Sequence, residues 1–120
     1  MPKTILVVDD DPTSNMLVGF LLKSNGYTVN VASDGEEGLA KAEQGNPDLI
    51  VLDVMMPKMD GYTFLRKLKS KSKAPPVIML TSKEKMEDTF KMEGAAHYFI
   101  KPLNSEQFLE KVKQLAPPLD

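Results

Sequence analysis

At 120 residues, with 42% hydrophobic and 27% charged side chains and a formal net charge of -2, the chain is sized for one domain around one core. That balance carries no general bias toward nucleic acid or membrane surfaces, and the absence of cysteine excludes disulfides, thiolate metal sites and cysteine nucleophiles. No apolar run approaches the ~18 residues that span a bilayer, and the run at residues 5–8 is too short for a secretory signal, so a single cytoplasmic domain over residues 1–120 is expected.

In chain order, Thr4-Ile5-Leu6-Val7-Val8 reads as a strand that runs directly into Asp9-Asp10-Asp11. Asp11 suits a helix N-cap and Pro12 the first helical position; Leu17, Val18, Leu21 and Leu22 then recur at helical spacing until Asn25-Gly26. Residues 27–31 alternate, as an edge strand does, and Ser33 with Glu36 predicts a capping box for a helix that turns Leu39 and Ala42 inward. Leu49-Ile50-Val51-Leu52 is a continuous apolar run ending in Asp53, the pattern of a strand buried on both faces. Asp60 caps a helix carrying Phe64, Leu65 and Leu68. Residues 69–76 form a polar connection to a fourth strand, Val77-Ile78-Met79-Leu80, which ends in Thr81-Ser82. A fourth helix bears Met86 and Phe90 and stops at Gly94; Tyr98-Phe99-Ile100 is a fifth strand, ending in Lys101-Pro102. Asn104 with Gln107 opens a last helix striped by Phe108, Val112, Leu115 and Ala116. Five alternations of strand and helix predict a doubly wound α/β domain, a five-stranded parallel sheet with five helices on its two faces.

Ligands collect at the carboxyl ends of such strands, and here those ends present Asp9, Asp10 and Asp11, then Asp53, then Thr81 and Ser82, then Lys101. Clustered carboxylates resist joint ionisation unless a cation joins them, and oxygen donors without His or Cys point to Mg2+. Mg2+, Lys101 and the Thr81 hydroxyl would together clamp a phosphoryl group, leaving Asp53 as an aspartyl nucleophile. The first strand-helix turn is acidic and lacks glycine, which argues against a nucleotide phosphate site. His97, the single histidine, has no second ligand and is read as a surface residue.

Val7-Val8-Asp9-Asp10, Leu52-Asp53-Val54-Met55-Met56-Pro57, Met59-Asp60-Gly61, Leu80-Thr81-Ser82, Gly94-Ala95 and Lys101-Pro102 together resemble the receiver domain of two-component response regulators, over essentially the whole chain. The resemblance implies a flavodoxin-like sheet of order 2-1-3-4-5 and a cis Lys101–Pro102 peptide. It implies that Asp53 is the phosphoacceptor, served by a histidine kinase or a phosphotransfer protein. Asp9, Asp10 and Asp53 would hold Mg2+ together with the backbone carbonyl of Met55. Thr81, Lys101 and the backbone N–H of Ser82 would contact the phosphate, and Tyr98 matches the switch aromatic that turns inward as Thr81 moves. The output surface would be helix four, strand five and helix five, read by a downstream protein, an attached effector domain or a phosphorylation-dependent homodimer, with no direct contact of this domain to nucleic acid or membrane. Thr81 and Lys101 are 20 positions apart, closer than is usual in the family, which points to residues missing from helix four or its flanking loop.

The competing readings are a Mg2+-dependent phosphohydrolase with an aspartyl nucleophile and a phosphorylation-independent interaction module. A chain this short leaves little room for a substrate-covering cap, and Val54-Met55 follow Asp53 where a second catalytic acid would be wanted, so a self-dephosphorylating signalling domain is preferred to a turnover enzyme. Met55 and Lys83, two positions past Asp53 and Thr81, are candidates for tuning hydrolysis or are simply exposed. Arg66, Lys67, Lys69, Lys71 and Lys73 form a basic run without aromatics, better suited to a solvated helix end than to nucleic acid.

Overall fold

A computed structural model describes residues 2–56, 58–70 and 74–118, with the side chain of Glu84 excepted. Pro57, Lys71 and Lys73 of the sequence reading lie outside the described residues. The strands are β1 (Thr4–Val8), β2 (Thr28–Ala32), β3 (Leu49–Leu52), β4 (Val77–Thr81) and β5 (His97–Ile100). The helices are α1 (Pro12–Lys23), α2 (Gly35–Gly45), α3 (Gly61–Lys69), α4 (Glu87–Met92) and α5 (Ser105–Leu115), with a 3-10 turn, Glu84–Met86, before α4. All strand pairs are parallel and the order is β2-β1-β3-β4-β5. The cis Lys101–Pro102 peptide is present.

Strand alternation divides the interior. Leu6, Val8, Ile50, Leu52, Val77, Met79 and Tyr98 pack with Ala42 of α2, Phe64 and Leu65 of α3 and Phe90 of α4. The intervening residues Ile5, Val7, Leu49, Val51, Ile78 and Leu80 pack with Val18 and Leu22 of α1 and Phe108 and Val112 of α5. Every residue of β3 and β4 is buried, which is why these strands carry no polar alternation and sit at the sheet centre.

Four local expectations are corrected. β2 begins one residue later than predicted, because the Tyr27 N–H donates to the Leu22 carbonyl of α1 (3.2 Å) and its hydroxyl to the Ala116 carbonyl (2.7 Å), so Tyr27 closes a helix instead of joining the ladder. The α2 cap is Asp34, not Ser33: its carboxylate accepts from the Glu37 N–H (2.8 Å), and the Glu37 carboxylate reaches back to the Ser33 N–H (2.7 Å). Leu17 has helical spacing but faces outward with Met16 and Phe20; Asn15 and Gly19 occupy buried positions on α1 instead. His97 is half-buried, its ring 4.4 Å from that of Phe99. α4 has 6 residues against 12 in α1 and 11 in α2 and is preceded by the 3-10 turn Glu84–Met86.

Candidate functional site

Asp9 and Asp53 stand one residue beyond β1 and β3, two neighbouring strands. Each is fixed by its own backbone: the Asp9 N–H donates to the Ala32 carbonyl (3.1 Å) and the Asp53 N–H to the Val8 carbonyl (3.0 Å). Each carboxylate also takes a local N–H, from Asp11 to Asp9 Oδ1 (3.0 Å) and from Val54 to Asp53 Oδ1 (2.7 Å). Both residues are nearly closed off, at 4% and 9% exposure, whereas Asp10 faces solvent. Oxygens of Asp9, Asp10 and Asp53 lie within 4.8 Å of one another.

Lys101 reaches this cluster from the end of β5. Its Nζ lies 2.7 Å from Asp9 Oδ2 and 3.8 Å from Asp53 Oδ2. Burial alone would lower its pKa, but the hydrogen bond to Asp9 and the charges of Asp9, Asp53 and Asp11 outweigh burial and raise it. Asp53 is displaced upward, first by burial and then by the charge of Asp9; the Thr81 hydroxyl, Lys101 and the Val54 N–H oppose that shift. Lys101 thus pairs with two of the three clustered carboxylates, and an all-oxygen donor set with that much negative charge fits a hard divalent cation.

The other side of the site is built on β4 and β5. Thr81, the last residue of β4, is 1% exposed, and its hydroxyl accepts from the Lys83 N–H (3.3 Å). Tyr98 is buried, and its hydroxyl donates to the Lys83 carbonyl, so the ring is already turned inward. Lys83 therefore engages both residues through its backbone, a role that its side-chain type does not announce; the side chain itself is exposed. Burial, then the charges of Asp53 and Glu87, raise the Tyr98 pKa and keep its phenol protonated. Met55 and Ser82 are both exposed, on the loops that follow β3 and β4.

Asn15 is the site residue that sequence reasoning missed. From α1 its Nδ2 donates to the Asp9 carbonyl (2.7 Å), bracing the backbone from which the Asp9 carboxylate hangs. The available signal was an amide at an inward position, three residues before Val18 and seven before Leu22. At the other strand end, Gly61 donates its N–H to the Val54 carbonyl (2.8 Å), and a Cβ there would lie 2.4 Å from the Asp53 carbonyl. Only glycine allows α3 to start so close to the peptide of Asp53.

Residues 5–113 match the family model described as the response regulator receiver domain. The alkaline phosphatase synthesis transcriptional regulatory protein PhoP of Bacillus subtilis is 44% identical over 117 residues, an alignment covering 96% of this chain and 49% of PhoP. The DNA-binding dual master transcriptional regulator RpaA of a Synechocystis species is 41% identical over 119 residues, with 96% and 49% covered. The chain thus spans about half the length of the curated relatives it matches. Among solved structures, response regulator TrrA of Thermotoga maritima, in complex with Mg2+ and BeF, superposes with a TM-score of 0.88 at 36% identity, covering 94% of this chain and 98% of that one. The chemotaxis response regulator CheY4 of Vibrio cholerae gives a TM-score of 0.86 at 34% identity, with 96% and 99% covered.

Proposed function

The chain belongs to the response regulator receiver domain family, and we propose that Asp53 is the residue through which it receives its signal. One observation carries this reading: a nearly buried carboxylate at a central strand end, within ion-pairing reach of Lys101 and grouped with Asp9 and Asp10. In the proposed step, a carboxylate oxygen of Asp53 attacks the phosphorus of a phosphohistidine on a kinase or phosphotransfer protein. The P–O bond forms as the P–N bond breaks, and the imidazole leaves with the electron pair. Lys101, the Thr81 hydroxyl and the Ser82 N–H are placed in the role of receiving the phosphoryl oxygens.

Asp9, Asp10, Asp53 and the Met55 carbonyl are the groups assigned to Mg2+, which when bound would neutralise charge gathering between the donor and Asp53. The acyl phosphate is then lost by hydrolysis on the domain itself or passed to a phosphotransfer histidine, so the domain works as a signal carrier and not as a turnover enzyme. Phosphoryl contacts with Thr81 would bias the Thr81–Lys83–Tyr98 arrangement and, through it, the α4-β5-α5 surface. The coverage of the curated relatives motivates an effector domain attached to the same polypeptide as the reader, with a separate partner protein or a homodimer as the other forms of output. Among the described residues no helix is long and apolar enough to cross a membrane, and we assign the domain to the cytoplasm.

Intact-mass measurement after treatment with acetyl phosphate and Mg2+ tests the assignment. One added phosphoryl group is expected on the wild type and none on Asp53→Asn. A variant that still gains a phosphoryl group would refute Asp53 as the acceptor. A wild type that gains none would favour an interaction module independent of phosphorylation.

A further inference from the structure

The loop between β3 and α3 is held from a direction that the phosphoacceptor reading does not use. Its two ends meet at Gly61, whose N–H bonds the Val54 carbonyl. Its far side rests on the first turn of α2. A Cβ at Gly35 would lie 2.4 Å from the Met59 carbonyl oxygen and 2.6 Å from the Met59 Cβ. Asp34, the preceding residue and the cap of α2, places Oδ2 3.7 Å from the Nζ of Lys58. Lys58 itself has φ of 70°, a left-handed conformation that a side chain other than glycine adopts only when its surroundings hold it there. Backbone contact on Met59 and an ion pair on Lys58 therefore act on adjacent residues, and two residues after Met59 the Gly61 N–H is bonded to the carbonyl of Val54, the residue next to Met55.

We propose that Gly35 and Asp34 are positioning residues: by seating Lys58 and Met59 against α2, and through them Gly61 and its bond to Val54, they set where the Met55 carbonyl stands relative to Asp9, Asp10 and Asp53, and so set the affinity of the site for a divalent cation. The inference rests on the reading of Met55 as a ligand given above. Ordinary contact for a Cβ begins at 3.4 Å, so an alanine at 35 forces the Met59 carbonyl to retreat by about 1 Å. Mg2+ demands near-ideal octahedral geometry, and a ligand displaced on that scale is a weak ligand. Asp34→Asn acts more gently, because asparagine still caps the helix while the charge that holds Lys58 is gone.

The test is a Mg2+ titration of the intact domain followed by amide chemical shifts, which reads binding without phosphorylation. Gly35→Ala is expected to raise the Mg2+ midpoint about 10-fold and Asp34→Asn about 3-fold. Gly45→Ala, on the same helix with nothing within 4 Å of the added methyl, and Glu36→Gln, a charge-matched neighbour in an exposed position, are expected to keep the wild-type midpoint. Wild-type midpoints in both Gly35→Ala and Asp34→Asn overturn the proposal. Should Gly35→Ala fail to fold, Asp34→Asn against Glu36→Gln decides alone: equal midpoints overturn it. A wild type with no saturable Mg2+ response, or an Asp9→Asn variant that keeps one, defeats the metal-site reading and the inference with it. A site intact by those criteria but insensitive at 34 and 35 defeats the inference only.

Discussion

The two halves of the strand-end site are built differently. On the β1–β3 side, Asp9 and Asp53 hang from ladder-bonded backbone, each carboxylate takes an N–H, and Asn15 braces one of them from below. The loops leaving that side enter helices of 12 and 9 residues with carboxylate caps, Asp11 and Asp60. On the β4–β5 side, the Thr81 backbone is also ladder-bonded, its carbonyl accepting from the Lys101 N–H (2.8 Å), but the Thr81 and Tyr98 hydroxyls both lean on the backbone of one residue, Lys83, and the chain continues into a 3-10 turn and a six-residue α4 with no side-chain cap. Charge is fixed where the structure is pinned by many bonds, and the groups proposed to respond lie where few bonds need to be exchanged. The proposed role, a carboxylate held still while the outer surface changes, is served by that asymmetry.

The asymmetry can be broken at its weakest support first. Phe90 is the one buried residue of α4, packed edge-on against Tyr62 and beside Tyr98, both at 6.0 Å between ring centres. Phe90→Ala should cost about 3–5 kcal/mol in urea unfolding, the largest effect expected of these substitutions. Lys101→Ala should cost roughly 2–3 kcal/mol, since Asp9 is left buried without its nearest cation, an amount reduced from the fully buried case because Lys101 is partly exposed. Mg2+ should then restore more stability to the variant than it adds to the wild type, as measured by melting with and without the ion.

Asp53→Asn should act in the opposite direction. The folded-state pKa of Asp53 is raised, so the protonated form favours folding, and that contribution is lost as pH rises from the ordinary aspartate range through the raised value. At neutral pH without Mg2+, removing the charge should therefore stabilise the domain, by on the order of 1 kcal/mol or about 4 °C. The gain should vanish in melts run below the ordinary aspartate range. Tyr62→Phe should have the smallest effect. It removes the hydrogen bond from the Tyr62 hydroxyl to Glu93 Oε1 (2.6 Å) that ties α3 to the end of α4. Amide exchange in α4 should quicken while exchange in β3 stays as in the wild type.

Apolar runs made most of this architecture readable from the sequence. Leu49 to Leu52 and Val77 to Leu80 offer no polar face, and the polar residue that ends each run, Asp53 in one and Thr81 in the other, marks where the sheet opens to solvent. The site was readable for the same reason, because its side chains are the residues that interrupt those runs. What stayed hidden was backbone work. Tyr27 scans as the first residue of an alternating strand, yet its N–H belongs to α1. Lys83 scans as an exposed lysine, yet its N–H and carbonyl hold Thr81 and Tyr98. Asn15 scans as an imperfection in an amphipathic helix, and Leu17 as part of its core face; which of the two turns inward was decided by the Asp9 carbonyl that needed a donor.

The pleat of the sheet has a consequence of its own. Following the alternation one residue past the strands, Asp9, Asp53 and Lys101 continue the phase of the residues packed on α1 and α5. Thr81 and Tyr98 share the phase of the residues packed on α2, α3 and α4. The charged trio and the hydroxyl pair thus fall on opposite sides of the sheet by their phase within their own strands, and Thr81 is the strand-end side chain on the α2-α3-α4 side that stands nearest in sequence to the sheet's opening. Deleting one residue inside β4 would leave every strand-end side chain in the polypeptide and still turn Thr81 to the other layer, whereas deleting two would shorten the strand and keep Thr81 on its own side.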